Sequence, residues 1–448
     1  MSIVDKLVSI ETAKESIKSA ITEKGVDLTG VSFIDYGGKI SEISGGGGSG
    51  DYLEIRNSLY YCRYYSTSKS VGEYAFAGLN LTTVDLPNCT SVSPSAFAFG
   101  KMKYVNLPAC FKLGNGGAFT SCSKLTSVNL PVCSSIGQGC FIDCISLTSI
   151  DLPACDRLIY HEFEGCYILS SINLPACTIV SDSAFAYCSS LTSIDLPNCT
   201  TVGDFAFCYL DTLTSINLPN CTTVGGSAFY GCSALTSIDL PNCTTVGNYG
   251  FTSCYALTSI NLPNCTTVGS SAFSRCSALT SINLPNCTTV GYYGFNNCTS
   301  LTSVNLPACT TVETSTFAYC SSLTSIDLPN CTTVGYNGFR GCTKLTSVNL
   351  PACSSIGDFT FLYCSALQTV NLPVCLSINF SAFYSCKLLN TIYLSQVNKV
   401  TYLDGSRVFA NCPALTSIYV PMSLVDAFKS ATNWTYFSDK IVGWEETV

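Results

Sequence analysis

From Leu152-Pro153 to Leu372-Pro373 a Leu-Pro pair returns every 22 residues without a slip. It sits inside a stretch that reads LTSIDLPNCTTV from Leu191 to Val202 and recurs almost letter for letter. A fixed period of this length allows few folds. Each unit is too short to bury its own apolar face, so neighbouring units must stack and share one continuous core. A chain of 448 residues would otherwise suggest two or three globular domains. The period replaces that expectation with a solenoid, which grows by adding turns.

Within one unit, Leu191, Ile194 and Leu196 follow LxxLxL, and Ile194 and Leu196 alternate with an outward Asp195 as a strand requires. Pro197 cannot donate to a ladder and ends that strand. Cys199 and Val202 turn inward, Gly203 permits a tight bend, and Ala206 and Phe207 point to the core. Stacked at ~4.8 Å, the units align Phe76, Phe97, Phe119, Phe141, Phe163, Phe185, Phe207, Phe229 and their successors to Phe409 in one aromatic column.

Thirty cysteines fall mainly into two columns, one after Leu-Pro (Cys89, Cys110, Cys133 and on to Cys375) and one three residues after Phe (Cys122, Cys144, Cys166 and on to Cys412). Side chains on adjacent parallel rungs point the same way, which suits a disulfide poorly. No CxxC cluster suggests a metal site. Leu79, Gly100, Leu210 and Val397 replace cysteine at equivalent positions. Leu and Val stand in for a small buried hydrophobe and not for a ligand, so the columns are predicted to be reduced, buried thiols.

The formal net charge of −8, with few charged residues, speaks against a nucleic-acid-binding surface. No apolar run is long enough to span a bilayer. The start MSIVDKLVSIETAKESIKSA lacks the features of a signal peptide, and the C-terminus shows no wall-anchor or lipidation motif, so the product is expected to fold in the cytoplasm. The single histidine, His161, lies in the irregular repeat DRLIYHEFEGC beside Glu162 and Glu164 and makes no catalytic constellation. No phosphate-binding glycine loop or GxSxG elbow occurs. The expectation is a protein that is not an enzyme, with no catalytic residue, cofactor or metal.

Two surface features could bind a partner. One is the outward strand column, Asp151, Asn173, Asp195, Asn217, Asp239, Asn261, Asn283, Asn305, Asp327, Asn349 and Asn371, which with its Ser and Thr neighbours is either a glycan- or ion-binding sheet or a solvated ladder. The other is where units differ, around Ala-Phe: Phe205, Tyr209, Tyr230, Tyr249, Arg275, Tyr292, Tyr293, Tyr319, Tyr336, Arg340, Phe359, Tyr363 and Tyr384. Tyr, Ser, Asn, Gly and Arg form the vocabulary of adaptable binding surfaces. Unconstrained surface drift would also bring Lys and Glu, which are scarce here.

Four segments follow. Residues 1–43 form a helical attachment or oligomerisation piece, with Ile3, Leu7, Ile10, Ile17 and Ile21 on one helical face and Gly25 as its stop. Residues 44–50 are a Gly/Ser linker, 51–412 the solenoid, and 413–448 a last unit and cap. In the cap, Ser423 is expected to start a short helix with an apolar face of Leu424, Val425 and Phe428. Trp434, Phe437, Ile441 and Trp444 are expected to cover the last rung.

LxxLxLxxC followed by VGxxAFxxC, recurring from about Val71 to Pro421, resembles the BspA-like (Treponema pallidum-type) leucine-rich repeat. The resemblance implies an α/β repeat solenoid: a right-handed array with a parallel β-sheet on one side and short strands or 3₁₀ turns on the other, here preceded by a short α-helical segment. It also implies that the first cysteine column bonds the backbone of its turn. Family members are commonly surface or interaction proteins. A second resemblance is carried by IETAKESIKSAITEKGVDLTGVSFIDYGGKISEI, which is similar to a leader of bacteriophage tail and fibre proteins and departs from that pattern at Gly37-Gly38. Together they imply a virion-associated tail-fibre or receptor-binding protein in the tail or baseplate. Residues 1–43 would hold it to other virion proteins, and it would bind a host cell-surface glycan or protein as a homo-oligomer such as a trimer, with neither nucleic acid nor membrane insertion. The alternatives are a bacterial or protist surface adhesin of the same repeat family, or a structural spacer in a particle.

Overall fold

The computed structural model describes residues 52–56, 61–65 and 68–445. The proposed attachment helix, with Ile3, Leu7, Ile10, Ile17 and Ile21, and the Gly/Ser linker lie outside them. The chain divides into two compact units, residues 1–196 and 197–448.

In the first unit a hairpin of Tyr52–Arg56 and Tyr61–Tyr65 opens the array, and its second strand pairs in parallel with Thr83–Asp85. Three-residue strands then follow one per turn, Tyr104–Asn106, Ser127–Asn129, Ser149–Asp151 and Ser171–Asn173, parallel and in register. Two-residue strands such as Ser70–Val71, Ser91–Val92 and Lys112–Leu113 form a second parallel ladder. The second unit repeats the plan. Its two-residue strands run in register from Thr201–Val202 to Tyr402–Leu403. Its last three-residue strands, from Ser325–Asp327 through Thr391–Tyr393, are continued by Ser417–Pro421 and Ile441–Trp444. The parallel sheet expected on one side is therefore present, and the opposite side carries short strands.

Each letter of the repeat has a place. In Ser237–Asp239 only the central Ile238 is buried, as period-two alternation demands. Asn220 of Leu-Pro-Asn donates its side-chain N–H to the Pro197 carbonyl one turn back at 2.7 Å, and Asn242, Asn264, Asn286 and Asn330 do the same. The first Thr of CTTV donates its hydroxyl likewise, Thr222 to the Thr200 carbonyl at 3.0 Å. Gly247 faces the backbone of Gly225 and Gly226 so closely that an added Cβ would come within 2.6 Å of it.

The phenylalanine column is fully enclosed. Rings stack at 4.8–5.4 Å from Phe76 to Phe185 in the first unit. From Phe207 to Phe409 in the second they stack at 5.0–5.5 Å. That is the rung spacing, so each ring is offset-stacked on the next.

Among the described residues no disulfide occurs, and every cysteine from Cys89 to Cys386 is buried. First-column thiols donate to the carbonyl two residues on, as Cys221 does to Thr223 at 3.3 Å, which is the backbone role the family resemblance implied. Second-column thiols donate to the phenylalanine carbonyl of the preceding turn, as Cys232 does to Phe207 at 3.1 Å. Where Gly100 replaces cysteine, the Met102 sulfur fills the place of the missing side chain.

The cap differs from expectation in one respect. Met422–Leu424 is a 3₁₀ turn leading into a helix at Val425–Ser430 whose N-cap is Leu424, so Ser423 lies inside the turn and makes no cap bond. Trp434 is buried against Phe409 and Phe428, with its ring N–H on the Thr401 carbonyl at 2.7 Å. Trp444 lies on the strand paired with Ser417–Pro421 and stands edge-on to Tyr419 of the last rung, as expected of a cover, and is 37% exposed.

Candidate functional site

The third side of each turn is the segment around Ala-Phe, and its backbone is unusual. In the turn at Ser227, the N–H groups of Ser227, Phe229 and Gly231 reach the next turn, to Asn248, Gly250 and Thr252. Those of Tyr230 and Cys232 close back three residues, onto Ser227 and Phe229. Two residues before and two after the phenylalanine, the backbone takes positive φ, the left-handed region. The sequence hides this, because the residues there are seldom glycine.

Eight of the thirteen candidate recognition residues occupy these left-handed positions: Phe205, Tyr209, Tyr249, Arg275, Tyr293, Tyr319, Phe359 and Tyr363, with φ between 56° and 65°. Tyr292 and Tyr336 precede such a position, and Tyr230, Arg340 and Tyr384 follow the phenylalanine directly. The structure places all thirteen on this one segment. Tyr292 is 52% exposed and Tyr209 40%, whereas Tyr230, Arg340, Phe359 and Tyr384 are half-buried. Some meet in pairs: Tyr209 edge-on to Tyr230 at 5.3 Å, Tyr336 to Phe359 at 5.7 Å, Tyr363 to Tyr384 at 6.3 Å, and the Arg340 guanidinium over the Tyr319 ring at 5.7 Å. They form a ridge of aromatic pairs and not one enclosed pocket.

Large and small residues take turns along this ridge. Phe205, Tyr249 and Tyr293 alternate with Ser227, Ser271 and Ser315, all at positive φ. After the phenylalanine, Tyr209 leans over Gly231 and Tyr319 over Gly341, where an added Cβ would meet the ring at 3.0 and 2.9 Å. Each ring thus spreads over two rungs.

His161 and Gly165 take the same left-handed positions around Phe163, and the departure in this turn is Glu162. His161 Nδ1 and Glu164 Oε2 are 2.6 Å apart at a partly exposed position. Glu162 occupies the slot that holds Ala118 or Ala184 in other turns and is fully buried, with neither carboxyl oxygen hydrogen-bonded. Burial pushes its carboxyl up to about 8, only partly offset by the nearby backbone N–H groups of Glu162 and Ile159, which lie outside bonding geometry. Burial likewise pushes the second-column thiols from Cys122 to Cys386 up, Cys276 to about 12, so they are poor nucleophiles. Among the described residues no group of three or more His, Cys, Asp or Glu is placed to hold a metal ion, and no helix is long and apolar enough to cross a membrane.

The stacked parallel ladders with an LxxLxL strand define a leucine-rich-repeat solenoid. The BspA type leucine-rich repeat region matches in six copies spanning residues 55–167, 132–235, 156–264, 200–324, 244–352 and 310–435. The chain belongs to that family. A leucine-rich repeat protein from Bacteroides ovatus shares the fold at 23% identity and a TM-score of 0.61, covering 88% of this chain and 98% of that one. A leucine-rich cell surface protein from Faecalibacterium prausnitzii aligns at 21% identity over 73% of this chain and 95% of its own, with a TM-score of 0.37. No curated protein sequence matches the chain.

Proposed function

We propose that this chain is a non-enzymatic recognition module of the surface-adhesin kind, binding a protein or glycan on a cell surface through the aromatic ridge of its turns. One observation carries the reading. Aromatic side chains sit exposed on left-handed backbone, where a bulky residue costs about 1–3 kcal/mol, while equivalent turns use Gly231, Ser227 or Asn337. Backbone conformation does not ask for tyrosine there and the core does not need it, so a task at the surface accounts for its recurrence. Membership of the BspA family supports adhesion or protein–protein interaction as the broader role. The test replaces Tyr249, Tyr293, Tyr319 and Tyr363 together by Ser and measures binding of the full chain to bacterial and eukaryotic cells. Binding should be lost with the unfolding midpoint unchanged or raised. Undiminished binding would remove the ridge from the function.

The virion form of this reading rests on the leader resemblance in residues 1–43. There the module would ride on a phage tail or baseplate, held by that segment as an oligomer, and meet a host-surface receptor. Peptides of this chain recovered from purified particles, and lost on deletion of residues 1–43, would support it. Recovery from a cell envelope alone would leave the adhesin form.

A further inference from the structure

On the strand side of the second unit, the outward column forms a ladder of side-chain hydrogen bonds. Asn261 donates to Asp239 at 2.8 Å, Asn305 to Asn283 at 2.7 Å, Asn349 to Asp327 at 2.8 Å and Asn371 to Asn349 at 3.1 Å. On the next rung Tyr393 takes the place of the amide, in register with Asn371. No amide then donates to the Asn371 side-chain oxygen, which is left as an open acceptor. One face of Tyr393 is stacked on Tyr419 at 5.1 Å and 10°. Trp444 stands edge-on to both rings at 5.6 Å and fixes them. The other side of Tyr393 lines a shallow concavity of about 310 Å³ with Asp327, Asn349, Asn371 and the hydroxyls of Ser325, Ser347 and Thr369. That volume lies at the small end of ligand sites.

We propose that this concavity binds a neutral pyranose sugar, its C–H face stacked on Tyr393 and its hydroxyls bonded to Asn371, Asn349 and Asp327. A rigid aromatic plate beside neutral amides and hydroxyls matches a ring that is apolar on its faces and polar at its edge. Charge decides between sugars: no Lys or Arg lines the concavity and one carboxylate does, so anionic sugars are disfavoured. Within the second unit, Asp239 to Asn371 carry the same ladder without an aromatic end-plate, which places the site of that unit at Tyr393. The site is on a different side of the turn from the aromatic ridge and does not rest on the proposed role of that ridge.

The test applies the full chain to a glycan array carrying neutral, amino and sialylated oligosaccharides, followed by titration of the bound neutral sugars. Tyr393→Ala should weaken binding at least tenfold. Asn371→Leu, which keeps the aromatic plate, should weaken it severalfold with an unchanged melting curve. Ser substitutions at Tyr249 and Tyr293 should leave it unaltered, which separates this site from the ridge. Absence of saturable binding to any neutral glycan, equal binding by Tyr393→Ala, or preference for sialylated glycans would each overturn the proposal.

Discussion

Glu162 should make the first unit weaker as pH rises. Its carboxyl ionises near 4.5 when solvated and is pushed up to about 8 in the fold, because it is enclosed in the alanine slot with no hydrogen bond to either oxygen. Below pH 4.5 it is protonated in both states and contributes no slope. Between 4.5 and about 8 the unfolded chain releases the proton while the native chain keeps it, so the native state binds more protons and stability falls with pH. Above about 8 both states are ionised and the loss is complete. At 1.36 kcal/mol per unit, the rise corresponds to ~5 kcal/mol. Turns of a solenoid open semi-independently, so the effect should be local. Hydrogen exchange of the amides in residues 139–165 should speed up between pH 5 and 8 beyond the intrinsic chemical rate, while the second unit shows no such excess. Glu162→Ala, which restores the residue found at 118 and 184, should abolish the excess and be more stable than the parent at pH 8. An unchanged excess in Glu162→Ala would refute the assignment.

Three further outcomes are expected. Phe273→Ala, deep in the aromatic column, should cost ~3–5 kcal/mol in denaturant unfolding, since it removes a fully buried ring between two stacked neighbours. Gly247→Ala should cost ~1–3 kcal/mol in the same assay, because the new methyl group must push the adjacent rung aside. A thiol reagent should modify all thirty cysteines of the denatured, unreduced chain but few in the native protein at pH 8, with Cys412 reacting before the fully buried ones; many fewer thiols after denaturation would show disulfides instead.

The period, the inward residues and the thiol columns could be read from the sequence because each follows from burial repeated at a fixed spacing. Ile238, Phe273 and Cys232 are enclosed where their positions in the repeat put them. The third side of the turn was harder to read. Its left-handed positions are held by Tyr, Ser and Arg, so the glycine signal for positive φ is missing. Glu162 gave no warning either, since a carboxylate in an alanine slot reads as surface until its enclosure is seen. Tyr393, Tyr419 and Trp444 are far apart in sequence, and only strand pairing after an irregular loop gathers them. Both tryptophans cover the last rungs, Trp434 buried beneath Phe409 and Trp444 edge-on to Tyr419.

The in-register stacking also bears on how such a chain can change length. Leu-Pro-Asn-Cys units bond to their neighbours through recurring atoms, Asn to the proline carbonyl and, save where Leu210 stands in its place, cysteine to the phenylalanine carbonyl. Unequal exchange between two such stretches of coding sequence would add or remove a whole turn and leave every column matched at the joint. A gain or loss of one residue inside a unit would instead put strand, thiol and ring out of step with both neighbours. The array can lengthen or shorten by whole turns while its end structures, the opening hairpin and the tryptophan-bearing cap, stay the same.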